Sequence, residues 1–136
     1  MKRDKFLKLM SSGALLACTG CLSSCAPDYL DPAPTNIDFT LDLNLPENVS
    51  LKTIGGSVVN EGVIVARIAL NEFTAISQRC THEPVAVAFQ SADQTFLCPR
   101  HPSKFTKDGV VLNGPATKPL RKYNTTVTVI SVRVFS

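Results

Sequence analysis

Residues 80–101 read Cys80-Thr81-His82-Glu83-Pro84-Val85-Ala86-Val87-Ala88-Phe89-Gln90-Ser91-Ala92-Asp93-Gln94-Thr95-Phe96-Leu97-Cys98-Pro99-Arg100-His101. Two short segments of this stretch, Cys80-Thr81-His82 and Cys98-Pro99-Arg100-His101, each offer one thiol and one imidazole, with fifteen residues between His82 and Cys98. His82 and His101 are the only histidines of the chain, and Cys80 and Cys98 the only cysteines after residue 25. Soft thiolates combined with borderline imidazoles select zinc, copper or an iron-sulfur cluster over hard cations that bind through oxygen. Most structural zinc sites of this composition pair two cysteines in one knuckle and two histidines at a helix, which is a different arrangement. Counted without regard to position, the two cysteines also admit a disulfide; a histidine beside each of them favours ligands.

Outward from this stretch the apolar residues follow a period of two. Ile37, Phe39, Leu41 and Leu43 face one way and Asp38, Thr40 and Asp42 the other, the pattern of a half-buried strand. Further strands are predicted at Leu51–Ile54 and Val58–Val59 around a Gly55-Gly56 bend, then at Val63–Leu70, Phe73–Ser77, Val85–Phe89, Thr95–Leu97, Val110–Leu112 and Thr125–Phe135. Turn residues such as Pro46-Glu47-Asn48, Asn60-Glu61-Gly62, Asn71-Glu72 and Ser91-Ala92-Asp93 separate them. No segment of the body keeps apolar residues at helical spacing over ten positions, so the domain is all-β and mostly antiparallel.

The chain of 136 residues leaves about 111 after its leader, enough for one small domain and too few for a large catalytic one beside it. A composition 44% apolar and 18% charged is globular. The net charge of +3 comes entirely from Lys2, Arg3, Lys5 and Lys8 against Asp4; from Cys25 onward ten basic residues balance ten acidic ones. That neutral body, with no tryptophan, carries no electrostatic footprint for nucleic acid. Within it the charge is uneven: only Lys52, Arg67 and Arg79 are basic before Pro99, whereas Arg100, Lys104, Lys107, Lys118, Arg121, Lys122 and Arg133 follow it against Asp108 alone. Such a bias suits an acidic redox partner docking near the histidines.

Residues 1–25 combine a basic start with an apolar stretch and small residues, the pattern of an export signal. Leu22-Ser23-Ser24-Cys25 resembles the lipobox of bacterial lipoproteins, which makes Cys25 the lipidation candidate and implies a protein of the bacterial envelope, lipid-anchored to the cell membrane on its periplasmic or outer face. Arg3-Asp4-Lys5-Phe6-Leu7-Lys8 is similar to a degenerate twin-arginine signal, with Asp4 in place of the second arginine. Lys8 and the Ser, Thr and Gly content make the stretch a poor transmembrane helix. Residues 26–35 hold three prolines and two aspartates without apolar periodicity and read as an extended tether, so that the folded domain spans 36–136.

The two Cys/His segments, their spacing, and the run Gly109-Val110-Val111-Leu112-Asn113-Gly114-Pro115-Ala116-Thr117-Lys118-Pro119-Leu120 together resemble the Rieske iron-sulfur family. The resemblance implies a Rieske-type antiparallel β-sandwich with a small cluster-binding subdomain. It implies one 2Fe-2S cluster, one iron held by Cys80 and Cys98 and the other by His82 and His101, with Gly114 and Pro115 in a loop that covers it. Imidazoles in place of two thiolates make such clusters easier to reduce, at about −150 to +300 mV against about −400 mV for plant-type ferredoxins. The expected function is one-electron transfer with redox partner proteins. Two alternatives are a small electron-transfer subunit of an oxidoreductase or oxygenase system, and a structural zinc-binding lipoprotein.

Departures from the family pattern refine this. The extra cysteine in each loop of the quinol-oxidising members is absent, and Arg100 stands before His101. Where many members read Gly-Ser-x-Tyr, this chain reads Pro102-Ser103-Lys104-Phe105: Ser103 can hydrogen-bond a cluster sulfur and Phe105 cannot. Hydrogen bonds to sulfur raise the potential, so the resemblance implies a value below that of the quinol-oxidising members. No serine or cysteine outside the ligand set has a histidine base, so the chain carries no catalytic site of its own.

Overall fold

The computed structural model describes residues 30–136; the leader, Cys25 and residues 26–29 lie outside them. Ten strands are formed: β1 (Asp38–Asp42), β2 (Ser57–Asn60), β3 (Val63–Ala69), β4 (Glu72–Ser77), β5 (Ala88–Gln90), β6 (Thr95–Leu97), β7 (Lys104–Phe105), β8 (Val111–Asn113), β9 (Lys122–Val127) and β10 (Ser131–Phe135). A six-stranded sheet has the order β1-β10-β9-β4-β3-β2 and a four-stranded sheet the order β5-β6-β7-β8. Every pairing is antiparallel.

The near-continuous apolar runs of β3 and β4 bury both faces, as such runs do when a sheet is covered on each side. Val63, Val65, Phe73 and Ala75 enter one core with Ile37, Leu41, Leu51, Tyr123, Val132 and Val134. Ile64 and Ile76, cross-strand partners pointing the other way, enter a second core with Val87, Phe96, Phe105, Ala116, Leu120, Cys80 and Cys98. The alternation of side chains along a strand thus splits two neighbouring strands between a structural core and the core beneath the cysteines. Each fully buried Val, Ile or Phe contributes about 1.5–3 kcal/mol of transfer free energy.

Three strand assignments differ from the sequence expectation. Leu51–Ile54 is not a strand: Pro46–Lys52 forms a short 3-10 helix with Pro46 in its first turn and Leu51 fully buried. Its last carbonyls are satisfied by a side chain instead of a ladder, since the Arg67 guanidinium donates to Leu51 O at 3.2 Å and to Lys52 O at 2.8 Å. The run Thr125–Phe135 is a hairpin of β9 and β10, closed where Thr128 N–H donates to Ser131 O at 2.8 Å and Ser131 N–H to Thr128 Oγ1 at 3.0 Å. Val85–Phe89 pairs as a ladder only from Ala88, because Val85–Val87 belongs to the loop after β4, touching it through an isolated bridge from Ala86 to Arg79.

The stretch read as a tether lies on the body where it is described. Leu30 N–H donates to Pro84 O at 2.8 Å, and Pro34 O accepts the Tyr123 hydroxyl at 2.8 Å. Three loops then meet at one end of the second core: residues 78–87 after β4, 98–103 between β6 and β7, and 114–121 between β8 and β9.

Candidate metal centre

The first loop leaves β4 at Ser77 and turns back at once: Cys80 N–H donates to Val85 O at 2.9 Å and Val85 N–H to Glu83 O at 2.8 Å. The second is closed in the same way, with Cys98 N–H on Ser103 O at 2.9 Å and Ser103 N–H on His101 O at 2.6 Å. Each tight turn places its cysteine inward and its histidine outward. Cys80 and Cys98 are each 2% exposed, His82 is exposed and His101 half-buried. The imidazoles meet edge to face, their centroids 5.0 Å apart at 80°.

The two thiols are free, and no disulfide joins them. Burial pushes the Cys80 thiol up, and the neighbouring Cys98 adds to that shift. Backbone N–H groups of Glu83 and His82 act the other way and favour its thiolate, as a metal ligand requires. Two such sulfurs below two outward imidazoles form a donor set that fits a soft or borderline metal centre, and a 2Fe-2S cluster with mixed ligation above all.

The third loop is stitched to both ligand loops. Thr81 Oγ1 donates to Lys118 O at 2.6 Å, Ala116 N–H donates to Ser103 Oγ at 3.0 Å, and Asn113 Nδ2 donates to Pro102 O at 2.7 Å. Gly114 and Pro115 are exposed between these stitches, while Ala116 is buried in the second core beside the cysteines. Ser103 is fully buried. Having accepted the Ala116 N–H, its hydroxyl keeps a hydrogen to donate. Ser103→Ala leaves the Ala116 N–H without a partner, and thermal unfolding of the full chain should show a loss of about 1–3 kcal/mol, against no change if water replaces the bond.

Sequence reasoning did not single out Glu83, Thr81 or Asn113. Glu83 spans the two ligand loops: its Oε1 lies 2.8 Å from His101 Nε2 and its Oε2 3.9 Å from Arg100 Nη1. The excess of basic residues after Pro99 is also smaller than it looks. Lys104 pairs with Asp93, Lys107 with Glu72, Lys122 with Asp108 and Arg133 with Asp38. Those partners hold the Asp93, Asp108 and Asp38 carboxyls below the usual carboxylate range.

This all-β arrangement, with two inward thiols and two outward imidazoles on paired loops, fits an iron-sulfur protein, and the family match gives its class. The chain belongs to the Rieske 2Fe-2S domain family, whose pattern matches residues 41–124. The family binds a 2Fe-2S cluster and works in electron transfer.

Among its relatives is the cytochrome b6-f complex iron-sulfur subunit of Chlorobaculum tepidum, 36% identical over 66 residues, 48% of this chain and 32% of that protein. The cytochrome b6-f complex iron-sulfur subunit 3 of Nostoc sp. is 36% identical over 64 residues, 47% of this chain and 33% of that one. The chain thus spans about a third of the length of these relatives. Among solved structures, the plasma membrane Rieske protein PetC3 of the cyanobacterium Synechocystis PCC 6803 is similar with a TM-score of 0.56 and 29% identity, over 65% of this chain and 93% of that one. The ferredoxin of carbazole 1,9a-dioxygenase from Nocardioides aromaticivorans shares the fold, with a TM-score of 0.55 at 23% identity over 75% of this chain and 98% of that one.

Proposed function

We propose that this chain is a one-electron carrier whose 2Fe-2S cluster is held by Cys80 and Cys98 on one iron and His82 and His101 on the other. The observation that carries the reading is the pairing of two buried, adjacent thiols with two outward imidazoles on loops tied together by Thr81, Ser103 and Asn113. When bound, the cluster supplies a centre that takes up and gives up one electron at a time. Around it the protein excludes water from the sulfurs by burying Cys80 and Cys98. Its cross-linked loops hold the ligands in one geometry, which keeps reorganisation on electron transfer small. His82 provides the exposed edge through which electrons enter and leave. Ser103 donates its remaining hydrogen toward a sulfur and raises the potential, whereas Arg100 is offset by Glu83.

The same reading places the protein in the bacterial envelope, carried there by residues 1–25 and lipid-anchored through Cys25, with 26–35 leading to the domain at 36–136. Its redox partners present an acidic docking face. Among the described residues no helix is long and apolar enough to cross a membrane. A place as the electron-transfer subunit of a larger complex is the second reading, favoured by similarity to the named b6-f iron-sulfur subunits.

Redox titration of the full chain tests the carrier role: a reversible transition of one electron per two irons is expected, and no reducible centre would overturn it. Palmitate labelling lost in Cys25→Ala is expected for the anchor; equal labelling in that variant would contradict it.

A further inference from the structure

Of the body's ten basic side chains, those with a carboxylate partner are Arg100, Lys104, Lys107, Lys122 and Arg133, while Arg67 is bound to backbone carbonyls. Among the described residues no carboxylate pairs with Lys52, exposed on the 3-10 helix, or with Arg79, Lys118 and Arg121, which line one cleft. These three line a cleft of about 300 Å³ beside the first ligand loop, with His82 in the same wall.

Different segments bring the three residues there, and the backbone of each is held by a hydrogen bond or bridge. Arg79 is held by its bridge to Ala86. Lys118 is held through its carbonyl by the Thr81 hydroxyl at 2.6 Å, and Arg121 through its carbonyl by Ser77 N–H at 2.8 Å. Arg121 also lies over the Tyr123 ring, 5.7 Å from its centroid. Glu83 lines the cleft too, but its carboxylate is engaged by His101 and Arg100. The cleft thus carries three basic side chains against the one carboxylate of Glu83, and a further carboxylate entering it would gain charge-assisted hydrogen bonds.

We infer that this cleft is the docking socket for acidic side chains of the electron-transfer partner. It rests on the carrier role proposed above and deepens it. The cleft is sized for one or two carboxylate side chains, and His82 in its wall puts a docked acidic segment beside the edge through which electrons pass. Docking through such charges sets the rate of encounter and the register more than it sets tightness.

Calorimetric titration of the iron-loaded full chain at low ionic strength tests this, with an acetylated, amidated hexaglutamate peptide, sodium acetate and inorganic phosphate as separate probes. Hexaglutamate should bind more tightly than acetate or phosphate and lose affinity with added salt. Binding should weaken at least about tenfold in the triple variant Arg79→Gln, Lys118→Gln, Arg121→Gln and stay unchanged in Lys52→Gln. Should the triple variant lose iron, Lys118→Glu, at an exposed position, must show the same weakening. Unchanged binding in these variants, an equal loss in Lys52→Gln, or phosphate binding as tightly as the peptide would overturn the proposal, the last making the cleft a free-anion site. Iron content and the reduced EPR signal are recorded on the same sample. A protein with its cluster but no peptide binding sinks the socket alone, whereas a protein without a cluster sinks the carrier role as well.

Discussion

Serine in place of Cys80 or Cys98 should strip the full chain of its metal. The wild-type protein is expected to carry about two irons and two acid-labile sulfides, and each variant less than about a tenth of that. Both cysteines are 2% exposed in an apolar core, where a serine hydroxyl is a neutral, hard and weakly ionising substitute. The loop turns are closed by the cysteines' backbone N–H groups, on Val85 O and Ser103 O, which a serine keeps. The folded β domain should therefore survive the substitution, and far-ultraviolet circular dichroism should remain close to that of wild type while the iron disappears. Iron retained at wild-type level in either variant would remove that cysteine from the ligand set.

Phe105→Ala should produce the largest loss of stability, about 3–5 kcal/mol out of a total of about 5–15 for a domain of this size. Phe105 is fully buried in the core that contains Cys80 and Cys98. It is also half of the two-residue β7, opposite Phe96 on β6 and Val111 on β8, so the middle of the small sheet depends on it. The other core, around Val63, Val65, Val132 and Val134, does not include it. Urea titration followed both by iron absorbance and by circular dichroism should show the iron signal lost at lower denaturant than in wild type. Val129→Ala, at a position 97% exposed, is the control and should move neither transition. An unchanged midpoint for Phe105→Ala would mean that the small sheet does not hold the site.

What could be read from the sequence was whatever depends on short-range pattern. The near-continuous apolar run from Val63 and the alternation around Leu41 mark strands because burial repeats at nearly every residue or at every second residue. The Cys/His segments are legible because each ligand loop is local in sequence. What escaped depends on contacts between distant residues or on unusual turn chemistry. Leu51 looks like the start of a strand until the Arg67 guanidinium, from β3, takes the carbonyls of the 3-10 helix. The hairpin at Thr128–Ser131 has no Gly, Pro or Asn to announce it; hydroxyl bonds do that work. Thr81 reaches Lys118 and Glu83 reaches His101 across loops that only the fold brings together. The basic bias after Pro99 was real as composition, yet among the described residues ion pairs take up most of it and leave Lys118 and Arg121 in one cleft with Arg79. The charge gathered at that cleft is therefore a property of the tertiary structure.

The central claim is mixed ligation of one cluster by two cysteines and two histidines. Electron-nuclear double resonance on the dithionite-reduced full chain, grown with nitrogen-15 histidine and purified without oxygen, tests it most directly. The account predicts a rhombic reduced signal coupled to nitrogens of two distinct imidazoles, with about two irons per chain. A reduced signal without histidine nitrogen coupling, or a protein that holds zinc and gives no signal at all, would contradict it.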